Sequence, residues 1–572
     1  MKKLLVFMKD YKLEAILGPF FKLLEASFEL TVPLVVASII KIGIANGDYN
    51  YIIGKSLLLI ALGLLGLVCS ITAQYFSAKA AIGFSSKIRH ALFSKIQSFS
   101  FSTLDKIGNS TLMTRMTSDI NQIQTGVNMT LRLFLRSPFI VFGAMIMAFT
   151  IDVKAALTFA VAIPVLLIIV FGILLITIPL YKKTQNKLDK IMSVSRENLT
   201  GVRVIRAFCK EESEIIGFNQ DNDSLNKSQK FVGNISALMN PLTYAIVNIA
   251  ILILIMTCGK RVNSGYIEQG DLVALYNYMS QILIELIKLA NLIVTITKSI
   301  ACAKRVSAVL EIDEPDDNLE DSASEKSDKF IEFKNVSLKY KNAGDASLSD
   351  ISFSVKRGET VGIIGGTGSG KTSLVSLLPH FYDSTSGDVF VDGKNVKCYS
   401  NDKLRHMVKI VMQKPILFKG TIRSNMKFSD KFATDDEIWS ALKAAQADSF
   451  VNEKGGLDAP VNQFGRNFSG GQKQRLTIAR ALVGNPDIII FDDSTSALDY
   501  ATDAALRKAI HNLPNSPTVF IVSQRAASLL NADKIIVLDE GSVVGIGNHS
   551  ELIGSCDVYK EIYYSQYPKE EV

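Results

Sequence analysis

Six apolar blocks occupy the chain before Val306, and nothing else constrains its folding as strongly. They run near Ala15–Ile42, Lys55–Gln74, Leu133–Phe149, Ala155–Leu180, Pro241–Cys258 and Leu272–Ile300. Blocks of about 20 residues are long enough to cross a bilayer as helices. The first is too long, and lacks the small-residue cleavage site, for a signal peptide. The chain has 572 residues and is 48% hydrophobic, a mean that conceals how strongly apolar residues segregate into its first half.

Basic residues set the orientation. Lys2, Lys3, Lys9 and Lys12 precede the first span, Lys79, Lys87, Arg89, Lys95, Lys106 and Arg115 follow the second, and Lys182, Lys183, Lys187, Lys190, Arg196, Arg203 and Arg206 follow the fourth. The connections at Asn46-Gly47-Asp48 and Ile151-Asp152-Val153-Lys154 are poorer in Lys and Arg. Both termini are therefore expected in the cytoplasm. The two long basic stretches keep helical periodicity and read as spans that continue into the cytoplasm. They account for the net charge of +7 without nucleic acid.

Charges also fall inside the spans. Lys22, Glu25 and Glu29 share one helical face, as do Glu285 and Lys288. A charge in a membrane faces a cavity or a partner. A cavity for cationic amphiphiles and pairing between subunits, or an interfacial position, both satisfy that rule. Pro33, Pro164 and Pro179 can kink their helices. Cys69, Cys209, Cys258, Cys302, Cys398 and Cys556 are scattered, without a metal-binding pattern. The many Lys, Ile and Asn residues suggest an AT-rich bacterial genome.

The second half carries a phosphate-binding loop. Gly365-Gly366-Thr367-Gly368-Ser369-Gly370-Lys371-Thr372 follows the apolar strand Thr360–Ile364 and opens a helical pattern that continues through Ser373. Glycines let backbone N–H groups converge on phosphate oxygens. Lys371 is expected to reach the β- and γ-phosphates of ATP, and the Thr372 hydroxyl to ligate Mg²⁺.

Downstream, Phe468-Ser469-Gly470-Gly471-Gln472 resembles the signature motif of the ATP-binding cassette (ABC) family, with Phe for the family's Leu. The resemblance covers the segment from about Phe330 onward. It implies that Tyr340 stacks on adenine, that Gln413 lies in the Q-loop near the metal, that Asp492 holds the Mg²⁺ shell, and that Ser496 and Asp499 lie in the D-loop. ABC cassettes pair head to tail, so Ser469, Gly470, Gly471 and Gln472 would complete a site on a partner's phosphate loop.

Two positions depart from the family pattern. Asp493 replaces the catalytic Glu, and Gln524 replaces the His that follows the next strand. A general base works within about 2.6–3.2 Å of its proton. Asp is one methylene shorter, about 1.5 Å, and a misplacement of about 1 Å can cost about 100-fold in rate. The Gln524 amide does not titrate near neutral pH. Segment Pro460–Gly465 also lacks the family's Glu, which puts an acidic contact to the membrane domain in doubt.

The expected architecture is an α-helical six-span transmembrane domain (residues 1–308) with long cytoplasmic extensions. An acidic linker (309–328) and an α/β nucleotide-binding domain with a helical subdomain (329–572) follow. Phe101–Gly108 and Glu197–Phe208 look like the intracellular loops of ABC exporters, whose transverse helices press on the cassettes. The chain resembles half of an exporter in a bacterial cell membrane, using ATP and Mg²⁺ to move a small hydrophobic or amphipathic substrate. It is expected to pair with a second half-transporter, a competent partner in a heterodimer. A homodimer in which Asp493 works and a regulatory nucleotide-sensing subunit are the alternatives; a soluble ABC ATPase is excluded by the spans. The sequence ahead of the spans shows no peptidase-like domain, which argues against a leader-cleaving peptide exporter.

Overall fold

The computed structural model describes residues 4–314, 329–341, 343–494 and 498–567. Most of the expected acidic linker, residues 315–328, and Ser496 of the D-loop lie outside them. The chain forms two compact units. One comprises Met1–Gln97 and Ser110–Ile312, and the other Ser98–Asn109 and Asp313–Val572.

Among the described residues, the first unit contains six helices long and apolar enough to cross a membrane: Leu4–Ile44, Tyr49–Gln97, Asn109–Ile151, Val153–Thr200, Glu211–Asn263 and Gln269–Leu310. Each contains one of the apolar blocks. The helix Tyr49–Gln97 has 49 residues, about 73 Å at 1.5 Å per residue. A bilayer core takes up only about 30 Å of that, so the polar remainder extends beyond it. Pro33, Pro164 and Pro179 sit inside helices as expected, and six residues of π-helix, Ile39–Ile44, follow the Pro33 helix.

Small residues let these helices approach closely, which replaces the missing hydrophobic drive between helices in lipid. Ala26, Ala73, Ala144, Ala155 and Ala274 are fully buried. A Cβ on Gly270 would stand 2.3 Å from the Ala37 carbonyl oxygen, so only glycine fits that crossing.

The intramembrane charges are paired within the chain, through a residue that the sequence analysis did not single out. Arg136 donates to Glu285 at 2.7 Å and to Glu29 at 2.6 Å. Ser137 and Lys288 also bond Glu285, each at 2.8 Å. Lys22 pairs with Glu25 at 2.6 Å and reaches Ser70 at 3.2 Å. Glu285 is 3% exposed. A carboxylate so buried is tolerable because both its oxygens are satisfied.

The second unit is built on two larger sheets. A four-stranded antiparallel sheet runs in the order Leu348–Val355, Ile331–Leu338, Ser386–Val391, Lys394–Asn395. A six-stranded sheet runs in the order Ser542–Gly547, Lys534–Asp539, Thr360–Gly365, Thr518–Val522, Ile488–Asp492, Val408–Val411. All its pairs are parallel except the one to Ser542–Gly547. Strands buried on both faces read as unbroken apolar runs, and Ile488-Ile489-Ile490-Phe491 does so because its residues alternate between two cores. Ile489 and Phe491 join one cluster, Ile488 and Ile490 the other. The helices Asp435–Ala444, Asp448–Glu453 and Gly470–Leu482 pack beside the first of these.

The short segment Ser98–Asn109 groups with this second unit. Ser100 caps the helix Phe101–Ile107 by accepting from the Thr103 amide. The Phe101 ring stacks on Phe381 with centroids 4.2 Å apart. The Tyr382 hydroxyl donates to Asp105 at 2.7 Å. An aromatic and a charge-assisted contact tie the helix there.

Candidate nucleotide site

Three neighbouring parallel strands end together. Register pairs Val522 with Ile363 on one side and with Asp492 on the other. Their carboxyl ends therefore present the Gly365–Gly370 loop, Asp492-Asp493 and Ser523-Gln524 side by side. Open α/β sheets bind ligands in this position.

The loop is shaped by close approach. Gly370 has φ +93°, and a Cβ there would stand 2.6 Å from the Ser347 carbonyl oxygen. Gly366 and Gly368 have open space around them, where the backbone can approach a phosphate. Lys371 folds back on the loop and donates to the carbonyls of Gly365 (2.9 Å) and Gly366 (2.6 Å). Burial lowers its ammonium pKa, and the charges of Asp493 and Asp492 oppose that shift.

Thr372 donates to Asp492 at 2.9 Å. Burial pushes the Asp492 carboxyl above the ordinary carboxylate range, the Thr372 hydrogen bond opposes this, and the nearby Asp493 charge adds to it. Gln413 donates to Asp493 at 3.2 Å. Asp493 has φ +45°, a left-handed conformation that Asp tolerates better than most residues. Hydroxyl, amide and carboxylate oxygens so gathered are the hard donors that Mg²⁺ takes.

Tyr340 stands over the next helical turn. Its hydroxyl donates to Ser373 at 3.0 Å, and its ring meets Tyr382 edge-on with centroids 5.0 Å apart. Ser369 is buried in the loop, and Thr367 is exposed. The loop, Ser373, Tyr340, Gln413, Asp492, Asp493 and Gln524 thus share one end of the sheet.

The signature residues do not join them. Ser469 and Gln472 close a reciprocal cap on the helix Gly470–Leu482. Among the described residues neither bonds to the phosphate loop, and a Cβ on Gly470 would meet nothing within 4 Å. Asp499 caps the helix Tyr500–His511 through Thr502. Sequence reasoning missed Arg480, which ties the signature helix to the Q-loop segment by donating to the Ile416 carbonyl at 3.1 Å. No motif flags a bond to main chain. A cavity of about 550 Å³ lies elsewhere, lined by Phe491, Tyr500, Asp503, Arg507, Val519 and Asn531 among others, and includes no phosphate-loop residue.

Residues 15–286 match the family model for the ABC transporter transmembrane region, and residues 348–496 match the ABC transporter model. A six-helix membrane unit followed by an ATPase cassette in one chain is the half-transporter of an ABC exporter. The chain belongs to the ABC transporter family. An ABC transporter ATP-binding protein of Mycobacterium tuberculosis is 35% identical over 552 residues, 95% of this chain and 94% of the relative. YfiB of Bacillus subtilis, also named an ABC transporter ATP-binding protein, is 34% identical over 571 residues, 100% and 99% of the two chains. YgaD of the same organism, named for multidrug export as an ATP-binding/permease protein, is 32% identical over 588 residues, 99% of each. A bacterial Atm1-family ABC exporter solved with ATP bound shares the fold, with a TM-score of 0.80 and 21% identity over 98% of this chain and 99% of that one.

Proposed function

We propose that this chain is the weak-site half of a heterodimeric efflux transporter. Its cargo is a small hydrophobic or amphipathic compound, and its partner is a second half-transporter with Glu and His at the positions of Asp493 and Gln524. Both termini lie on the cytoplasmic side of a bacterial cell membrane, a reading supported by the distribution of Lys and Arg.

In this reading the Gly365–Gly370 loop, Lys371 and Ser373 hold the phosphates, and Tyr340 stacks on the adenine. Thr372 and Gln413 would hold Mg²⁺, with Asp492 behind them. When bound, it neutralises charge on the phosphoryl oxygens. Lys371 exchanges its two carbonyl partners for phosphate oxygens. Ser469, Gly470, Gly471 and Gln472 face the partner's ATP, and Asp499 belongs to the D-loop. ATP binding closes the cassettes and turns the cavity outward; hydrolysis at the partner's loop resets the pair. The name of YgaD supports the cargo class.

One observation carries the weak-site assignment. The Asp493 carboxylate is short, held at φ +45° and bonded by Gln413, while Gln524 has no ring to protonate. Affinity purification of the tagged chain from its native membranes tests the pairing. The expected product is a stoichiometric complex with a different ABC half-transporter bearing Glu and His at the matching positions. Recovery of this chain paired only with itself counts against it.

A further inference from the structure

The backbone after the Thr518–Val522 strand must carry Gln524 to the phosphate end of the sheet and then turn sharply into Ala526–Ser528. Its inner side is fixed by its neighbours. The Ser523 N–H donates to the Ile363 carbonyl at 3.1 Å, and the Ser523 hydroxyl accepts from the Arg525 N–H at 2.9 Å. The outer side is held from a distance. Gln566, the last residue of the helix Asp557–Gln566, donates its amide Nε2 to the Gln524 carbonyl at 2.7 Å. Its Oε1 accepts from the Ala526 N–H at 2.9 Å. One side-chain amide thus satisfies a carbonyl and an N–H two residues apart, as an adjoining strand would. The helix that delivers it is anchored. Tyr559 is fully buried, and its hydroxyl lies 2.8 Å from His549 Nδ1. Ile562 and Tyr563 pack on the same core that contains Ala526.

We propose that Gln566 is a positioning residue for the phosphate-sensing segment. It clamps the two peptide groups that flank Arg525, the first of them directly after Gln524, so that the Gln524 side chain is aimed while remaining exposed. The proposal rests on the assignment of Gln524 to the γ-phosphate. It makes the carboxyl-terminal helix a mechanical support of the catalytic end of the sheet, since a shift of the helix is transmitted to Gln524 through two hydrogen bonds. An aim lost by about 1 Å is enough to cost about 100-fold in rate.

Amide-resolved hydrogen exchange on the full-length chain in lipid nanodiscs tests the clamp. Gln566→Leu is expected to speed exchange of the Ala526 amide about tenfold, the weight of one lost hydrogen bond. Exchange in Asp557–Tyr564 and the melting temperature stay at wild-type values. Gln566→Glu keeps the acceptor and loses the donor, and is expected to fall between Gln566→Leu and wild type. In a chain also carrying D493E and Q524H, Gln566→Leu is expected to lower kcat about tenfold at unchanged KM for ATP. An Ala526 amide that exchanges within about twofold of wild type in Gln566→Leu overturns the proposal. So does a rise spread equally over the whole helix, which marks a merely structural role. Fast ATP turnover by the wild-type chain alone would refute the weak-site reading and leave the exchange result untouched.

Discussion

At the scale of single residues, the proposed weak site turns on two side chains, Asp493 and Gln524, with Asp492 buried beside them. Replacing Asp493 by Glu and Gln524 by His together is expected to raise ATP turnover by the chain alone about 100-fold, measured as phosphate release. Asp492 presents the opposite trade. Its carboxyl is raised above the ordinary range mainly by burial. A carboxyl raised in the folded state contributes stability below its unfolded pKa and loses it as pH rises through the folded value. At neutral pH the ionised group is therefore a net cost. Asp492→Asn keeps an oxygen for Thr372 and removes the charge. The nucleotide-free protein is expected to melt a few degrees higher at pH 7, at roughly 2–4 °C per kcal/mol, with the gain vanishing toward acid pH. The same variant is expected to lose Mg²⁺-dependent nucleotide binding. Scanning fluorimetry across pH, with and without MgATP, checks both signs.

At the scale of elements, both units are held at places where one helix supplies what another lacks. In the membrane unit Arg136 joins three helices through Glu29 and Glu285. Removing one member of a buried pair costs about 3–5 kcal/mol, since the other charge is left unpaired. Arg136→Ala is expected to destabilise the detergent-solubilised protein by that order. The double replacement of Arg136 and Glu285 by Ala should cost less than the sum of the single ones, and thermal denaturation of the four-member cycle measures the difference. In the second unit, Phe101 on Phe381 and Tyr382 on Asp105 hold the helix Phe101–Ile107. Phe101→Ala removes an aromatic pair worth about 0.5–1.5 kcal/mol beyond its buried area. Limited proteolysis should then cut within residues 98–109 faster than in wild type, while the Thr518–Val522 strand stays protected.

Across the whole molecule, what could be read from the sequence depended on whether the information was local. The phosphate loop is one contiguous stretch whose glycines explain themselves, so Gly365–Thr372 was legible before any fold was known. The six spans were legible because a bilayer demands length and apolarity from each segment alone. Arg136 was not, since its partners lie 107 and 149 residues away and nothing near it marks a buried pair. Gln566 was missed for a related reason: it bonds main chain 42 residues upstream, and main-chain partners leave no trace in residue type. A contact of the Phe101–Gly108 loop with a cassette was expected from its resemblance to exporter loops, whereas its particular partners, Phe381 and Tyr382, were not legible from its own composition. Steady-state ATP turnover of the purified chain alone in lipid nanodiscs decides whether this cassette binds MgATP yet hydrolyses it poorly unaided. Saturable MgATP binding is expected, with turnover about 100-fold below that of the chain carrying D493E and Q524H. Brisk, vanadate-sensitive turnover by the wild-type chain, matched by that double variant, would contradict it.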